Sequence, residues 1–353
     1  MTAGAPPRTA DYQRATPPPR RLIPSLEVRR ACARVAAKVL HSRGLRALIE
    51  IHAAMEETLD RLDSGPVTGA GIEIRVEGLV LQAMGPDLAR SGPTVADRRR
   101  RNPVPPAVLS PAHALRELLY ACVHPGLPPD RQASMLLRFG FWLPSDVSAT
   151  LLQTGSSTVD IHLRQCCRRL GAVARRGGRT RMPGQDARCL TLLRHLDLLR
   201  QRSVELQETS PEIAEAVDVD TRFYAALLVD TESGGAQGAA HAFLAQLLLG
   251  AERVQREQST RAPNAVPCAG TKPGDDPTAA GIRHLRAAQE LGAQDRFFWL
   301  AKIHAAYLLA PDKERIDWQQ LVGLYEGLLR ATELAVSMRH VDAPNTLSTH
   351  PVY

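Results

Sequence analysis

The chain runs to 353 residues, 44% apolar and 4% aromatic, with a formal net charge of +7. That length holds two domains with a buried core in each, and an apolar set carried by Ala and Leu points to a mainly α fold. No run of about 18 apolar residues and no apolar signal core is present, which excludes a membrane span and leads us to expect a cytoplasmic protein.

Residues 1–24 (MTAGAPPRTADYQRATPPPRRLIP) are rich in Pro, Ala and Arg, can bury little, and are expected to form a disordered arm. From Ser25 the pattern turns helical. Val28, Cys32, Val35 and Val39, then Leu45, Leu48, Ile49, Met55, Leu59 and Leu62, recur mostly at steps of three and four, and Gly44 divides the run into two helices. Residues 72–81 (IEIRVEGLVL) alternate apolar and charged at first and read as a short strand, with helix as the alternative. Together 25–91 make a divergent, mostly helical N-terminal region. Residues 92–109 are a linker, in which the arginines at 98–101 precede Asn102, Pro103, Pro105 and Pro106 in a charged, proline-stiffened tether.

Ser110 and Pro111 restart a helix as cap and first-turn proline, and Leu115, Leu118, Leu119 and Cys122 supply its buried face. The run 144–170 (PSDVSATLLQTGSSTVDIHLRQCCRRL) then has the form of a helix-turn-helix. Val147, Leu151 and Leu152 turn the first helix toward a core, and the break falls at Gln153, Thr154 and Gly155, with Gly155 the residue most tolerant of positive φ. Ser157 is the expected N-cap of the second helix, with Asp160 three positions on as an acidic capping box.

At about 100° per residue the second helix sorts its side chains by face. Val159, Leu163, Cys166 and Leu170 form an apolar stripe; Thr158, His162, Gln165 and Arg169 share another face. In a major groove the second set offers hydroxyl, imidazole, carboxamide and guanidinium groups to base edges and phosphates. Residues 156–181 hold seven arginines (164, 168, 169, 175, 176, 179 and 181) against one acid, Asp160, a local net of +6. Charge gathered on one element and its tail is a footprint for a polyanion. The expected DNA contacts are Thr158, His162, Gln165, Arg168 and Arg169.

Beyond Gly177, Gly178, Pro183 and Gly184 a second unit, 185–338, is expected. Residues 190–204, 212–229 and 241–254 read as helices, 259–278 as a long loop, and 279–291, 297–309 and 318–338 as further helices. Pairs of this length suggest an α-helical hairpin array of the tetratricopeptide type, which presents a concave protein-binding surface. Residues 339–353 are expected to be a tail.

Several stretches together resemble a family. Tyr120, Ala121, Cys122, Val123, His124, Pro125, Gly126 and Leu127, then 136–139, Asp146 with Val147, and Arg168, Arg169 and Leu170 resemble the promoter-binding second half of extracytoplasmic-function sigma factors of bacterial RNA polymerase. Residues 317–328 (DWQQLVGLYEGL) resemble a motif of the subgroup with a long helical C-terminal extension. The resemblance implies a sigma region-4-like helix-turn-helix domain at 110–181, with double-stranded promoter DNA and the polymerase core as partners. The family's acidic Asp-x-x-Asp-x-x-Gln-x-x-Phe run is absent from the N-terminal half. No Phe, Trp or Tyr lies between Tyr12 and Tyr120 to stack melted bases. A degenerate homologue, acting as a helical protein-interaction module without promoter melting, is the alternative.

Nothing in the chain points to catalysis. There is no Gly-rich phosphate loop, G-x-S-x-G or H-E-x-x-H, and no cofactor is expected. The six cysteines (32, 122, 166, 167, 189 and 268) form no C-x-x-C pair, a helix end accounts for Cys122 and His124, and no metal site is expected. Asp218 and Asp220 read as a solvated helix face or local cap, and His304 as a packed core histidine.

Overall fold

In a computed structural model of the chain the described residues are 23–45, 47, 48, 50–52, 54, 76, 78, 110–175, 184–261, 276–310 and 315–341. The fold is mainly α, with no strand among these residues. The linker at 92–109, most of the N-terminal arm and residues 342–353 lie outside them. No helix among them is long and apolar enough to cross a membrane.

Helix α1 (Leu26–Arg43) starts on Ser25, whose hydroxyl accepts from the Val28 N–H, and stops at Gly44, where φ is +76°. With ψ near 180°, that conformation belongs almost to glycine alone. Ile23 packs against the core and the Pro24 carbonyl accepts from Arg29 at 2.7 Å, so these two residues of the expected arm are held by the fold. After Gly44, residues 47, 48, 50–52 and 54 are helical, as the spacing predicts. Val76 and Gly78, the described residues of the expected strand, are also helical, and Val76 is buried. A short alternating run does not fix the element by itself; burial decides it.

Helix α2 (Pro111–Cys122) begins with the Ser110 cap and first-turn proline read from the sequence. Helix α3 (Pro129–Met135) runs into a π-helical turn at Leu136–Gly140. Trp142, fully buried, then takes φ +52°, and the buried Arg138 guanidinium donates across the reversal to the Leu143 carbonyl at 3.1 Å. A bulky residue at positive φ costs about 1–3 kcal/mol and persists only where its surroundings over-determine it. This reversal aims α4 (Ser145–Leu151), which a short turn joins to α5 (Ser156–Arg175).

Six helices follow: α6 (Gln185–Glu205), α7 (Pro211–Thr231), α8 (Gly234–Arg261), α9 (Pro277–Glu290), α10 (Arg296–Leu309) and α11 (Trp318–Val341). Helix α8 begins seven residues before the expected 241 and continues beyond 259, so the expected loop is helical at its start, and α11 takes in the first residues of the expected tail. In packing, α8 meets α6, α7, α9 and α10, while α11 lies chiefly on α10. Gly281 on α9 lets α8 come close, since a Cβ there would stand 2.6 Å from Leu249 Cγ.

One main apolar cluster runs from Val28 on α1 to Leu308 on α10, so the described residues on both sides of residue 181 share it, and a small second cluster joins α10 to α11. Buried polar ties fasten the two halves. Arg29 meets Asp220 at 3.0 Å, 5% and 2% exposed, and the Tyr224 hydroxyl donates to the Gly140 carbonyl. The Tyr120 hydroxyl donates to Glu232 at 2.6 Å, and Arg116 and Gln185 close on the same carboxylate. Asp220 is therefore a buried ion-pair partner and not a solvated face, because its partner lies 191 residues away on α1; Asp218 does stay near the surface, with Arg222 at 2.7 Å.

Candidate nucleic-acid interface

The turn between α4 and α5 sets how α5 is presented. The Thr154 N–H donates to the Ala149 carbonyl at 3.0 Å and the Gln153 N–H to that of Thr150 at 3.2 Å, the paired bonds of a Schellman ending. Gln153, not Gly155, takes the left-handed conformation, at φ +51°. Sequence reasoning chose Gly155 for its tolerance of positive φ, but Gly155 is where α5 begins, its carbonyl accepting from the Thr158 and Val159 N–H groups. Ser157 lies inside the first turn of α5, and Asp160 accepts from Ser145 on α4 at 2.6 Å, so the expected capping box does not form. Gln153 also donates to Glu205 on α6 at 3.3 Å, bracing the turn from the far side.

The inward face of α5 is the one the spacing predicts. Val159, Leu163, Cys166 and Leu170 are fully buried, against α3 and α4. Cys167, which lies off that stripe by its spacing, is buried too, and its thiol donates to the Leu48 carbonyl at 3.7 Å. That partner is distant in sequence, so helix geometry alone could not reveal it. Burial pushes the Cys166 thiol up to about 11 and that of Cys167 up to about 12, away from the reactive thiolate form.

The outward face carries the expected contacts. Gln165, Arg168 and Arg169 are exposed; Thr158 and His162 are half-buried at its margin. Arg164 lies beside them with its Nε on the Asp160 carbonyl at 3.3 Å, and Ile161 adds an exposed apolar side chain of the kind that can meet a thymine methyl. Arg131 on α3 was not foreseen. It stands near Cys166 and Asp130, half-buried, with its Nε unpaired and no carboxylate partner for its guanidinium among the described residues. The packing of α3 on the inward side of α5 brings it beside Cys166.

Charge balance separates this face from α6, α7 and α8, while Arg283, Arg286 and Arg330, spread over α9 and α11, are also exposed without a carboxylate partner among the described residues. Arg188, Arg200, Arg202, Arg222, Arg253, Arg256 and Arg296, on α6–α8 and α10, each lie within 4.0 Å of a carboxylate. Arg131, Arg164, Arg168 and Arg169 have no carboxylate partner among the described residues. Arg175 lies at the end of α5, and Arg176, Arg179 and Arg181 are outside the described residues.

His124 is buried just beyond the end of α2. Its Nδ1 accepts from the Gly126 N–H at 3.0 Å, closing the turn after α2. Burial first, then Arg188 and Arg169, holds its imidazole below the ordinary histidine range, and burial pushes the Cys122 thiol up. No group of three His, Cys, Asp or Glu able to hold a metal ion occurs among the described residues. His304, expected in a core, is half-buried, and burial draws it down to about 4. In comparisons with protein-family models, curated proteins and solved structures, nothing matches this chain.

Proposed function

We propose that α4, its turn and α5 act as a helix-turn-helix that lays the outward face of α5 in the major groove of double-stranded promoter DNA. The protein then regulates transcription initiation in the manner of the extracytoplasmic-function sigma factors, with the polymerase core as its protein partner. In this reading α6–α11 form a helical hairpin array that braces the DNA-reading unit through Gln153 and Glu205. The observation that carries it is the set of arginines on α5 left without carboxylates beside an exposed Gln165. Guanidinium groups in that state displace counterions from phosphate, and Gln165, His162 and Thr158 offer donors and acceptors to base edges. Arg168 and Arg169, both exposed, are assigned to phosphate or guanine.

The test is duplex binding measured at several salt concentrations. Arg168→Ala with Arg169→Ala is expected to weaken binding about 10- to 100-fold and to flatten the log–log salt slope by roughly 2, since each phosphate left without its arginine removes about 0.9. An unchanged slope removes DNA from this face. Retention of polymerase core by the purified chain checks the second partner.

A further inference from the structure

Helix α11 is apolar on two faces. Leu321, Leu324 and Leu328 turn inward with Ile316 onto Ile303, Ala306, Tyr307 and Ala310. A second stripe points away from the molecule: Trp318, Val322, Tyr325 and Leu329 are between 47% and 61% exposed. Their steps of four, three and four keep all four within an arc of about 60°. That is also the d–a–d–a spacing of a coiled-coil seam. Single exposed apolar residues are ordinary, but a continuous row containing Trp and Tyr marks an interaction surface.

We propose that this stripe is the interface of a symmetric dimer, in which α11 of a second copy crosses it antiparallel. The spacing is self-complementary. About a two-fold axis between Gly323 and Leu324, Trp318 faces the partner's Leu329 and Val322 faces the partner's Tyr325. Charge favours the same direction. Asp317 stands at the start of the helix and Arg330, without a carboxylate partner among the described residues, lies toward its end. Antiparallel pairing in this register sets Asp317 against the partner's Arg330 and opposes the helix dipoles, whereas parallel pairing sets Asp317 against Asp317. By sequence, residues 342–353 hold Pro344 and Pro351 and no apolar residues at steps of four, three and four to match the row. The four side chains expose on the order of 400 Å² per molecule, about half the share each partner gives to a standard interface. The dimer is accordingly weak and concentration-dependent.

Sedimentation of the full chain without DNA, from roughly 1 to 200 µM, tests it. The mass is expected to rise from one chain toward two across that range, and Val322→Glu, which leaves the inner face intact, is expected to move the rise at least about tenfold higher in concentration with an unchanged helical spectrum. Orientation is read with a short bis-maleimide in a Cys268→Ser background. Val322→Cys, near the axis, is expected to cross-link, and Leu329→Cys, about 16 Å from its mate along the helix, is not. A monomer at every concentration, or a dimer indifferent to Val322→Glu, overturns the proposal. Efficient cross-linking at 329 overturns the antiparallel arrangement. A chain ending at Val341 that dimerises where the full chain does not gives the stripe to residues 342–353 instead.

Discussion

Arg296 and Arg168 belong to regions that use the same side chain in opposite ways. On α10, Arg296 reaches the buried Asp197 at 2.7 Å, and on α1, Arg29 is sealed against Asp220. In these places arginine is part of how helices recognise one another, and its charge is cancelled inside the molecule. On α5, Arg168 and Arg169 project from a helix whose other side is fully packed, and no carboxylate among the described residues answers them. An abundance of arginine over lysine across the whole chain therefore says little. Burial and pairing together, with the face on which each arginine stands, separate those that serve the fold from those available to a partner.

The sharpest way to break that contrast is to remove one buried carboxylate. Asp220→Ala leaves the Arg29 charge enclosed with no counter-ion and is expected to cost about 3–5 kcal/mol in urea unfolding. Replacing both residues together, Arg29→Met with Asp220→Leu, is expected to fall within about 1 kcal/mol of the natural chain, because the desolvation cost leaves with the pair. The double alanine at 168 and 169 is expected to change stability by less than about 0.5 kcal/mol. A loss below about 1 kcal/mol for Asp220→Ala, or a large loss for the α5 pair, erases the distinction between the regions.

What could be read from the sequence follows the same boundary. Helix α2, its Ser110 cap and the apolar stripe of α5 were legible because each depends on residues within a few turns of one another. Cys167 against Leu48, Arg29 against Asp220 and Arg131 beside α5 were not, because each joins residues that only the folded chain brings together. The start of α8 was hidden for a different reason. Gly234, Gly235 and Gly238 lower the helix propensity ahead of the expected start at 241, yet the helix includes Gly235 and Gly238, and a Cβ at Gly238 would stand only 3.0 Å from the Leu291 Cβ. Tertiary packing overrode the local preference there.

The histidines of α8–α10 extend the comparison to pH. Burial holds His304 at about 4 and His241 and His284 below their usual range, with the latter two Nδ1 atoms 2.9 Å apart, so that one ring donates to the other only while at least one is neutral. Folded values below the unfolded one mean that stability is full above about pH 6.5 and is lost as pH falls toward 4, since the unfolded chain binds these protons first. With allowance for partial solvent screening, the loss assigned to His304 is about 2 kcal/mol. Asp220 and Asp295, whose carboxyls burial pushes up, contribute in the opposite sense. The histidine share is therefore read as the difference between the natural chain and His304→Gln in urea unfolding at about pH 7.5 and about pH 5. Parallel curves for the two proteins would show that His304 titrates as it does in the unfolded chain.

The smallest effect lies at the seam between the two regions. Gln153 holds a left-handed conformation that costs a non-glycine residue about 1–2 kcal/mol, while glycine in its place adds about 0.5–1 kcal/mol of unfolded-state entropy. Its side chain also donates to Glu205, but both groups are exposed, and such a bond contributes little. Gln153→Gly should therefore stabilise the protein by about 0.5 kcal/mol, raise the thermal midpoint by a degree or two and leave duplex affinity unchanged. If stability falls instead, the link to Glu205 outweighs the backbone strain, and α6 must then be counted among the elements that fix the turn. If stability rises but duplex affinity drops, the strained conformation at Gln153 is what sets the angle at which α5 meets DNA.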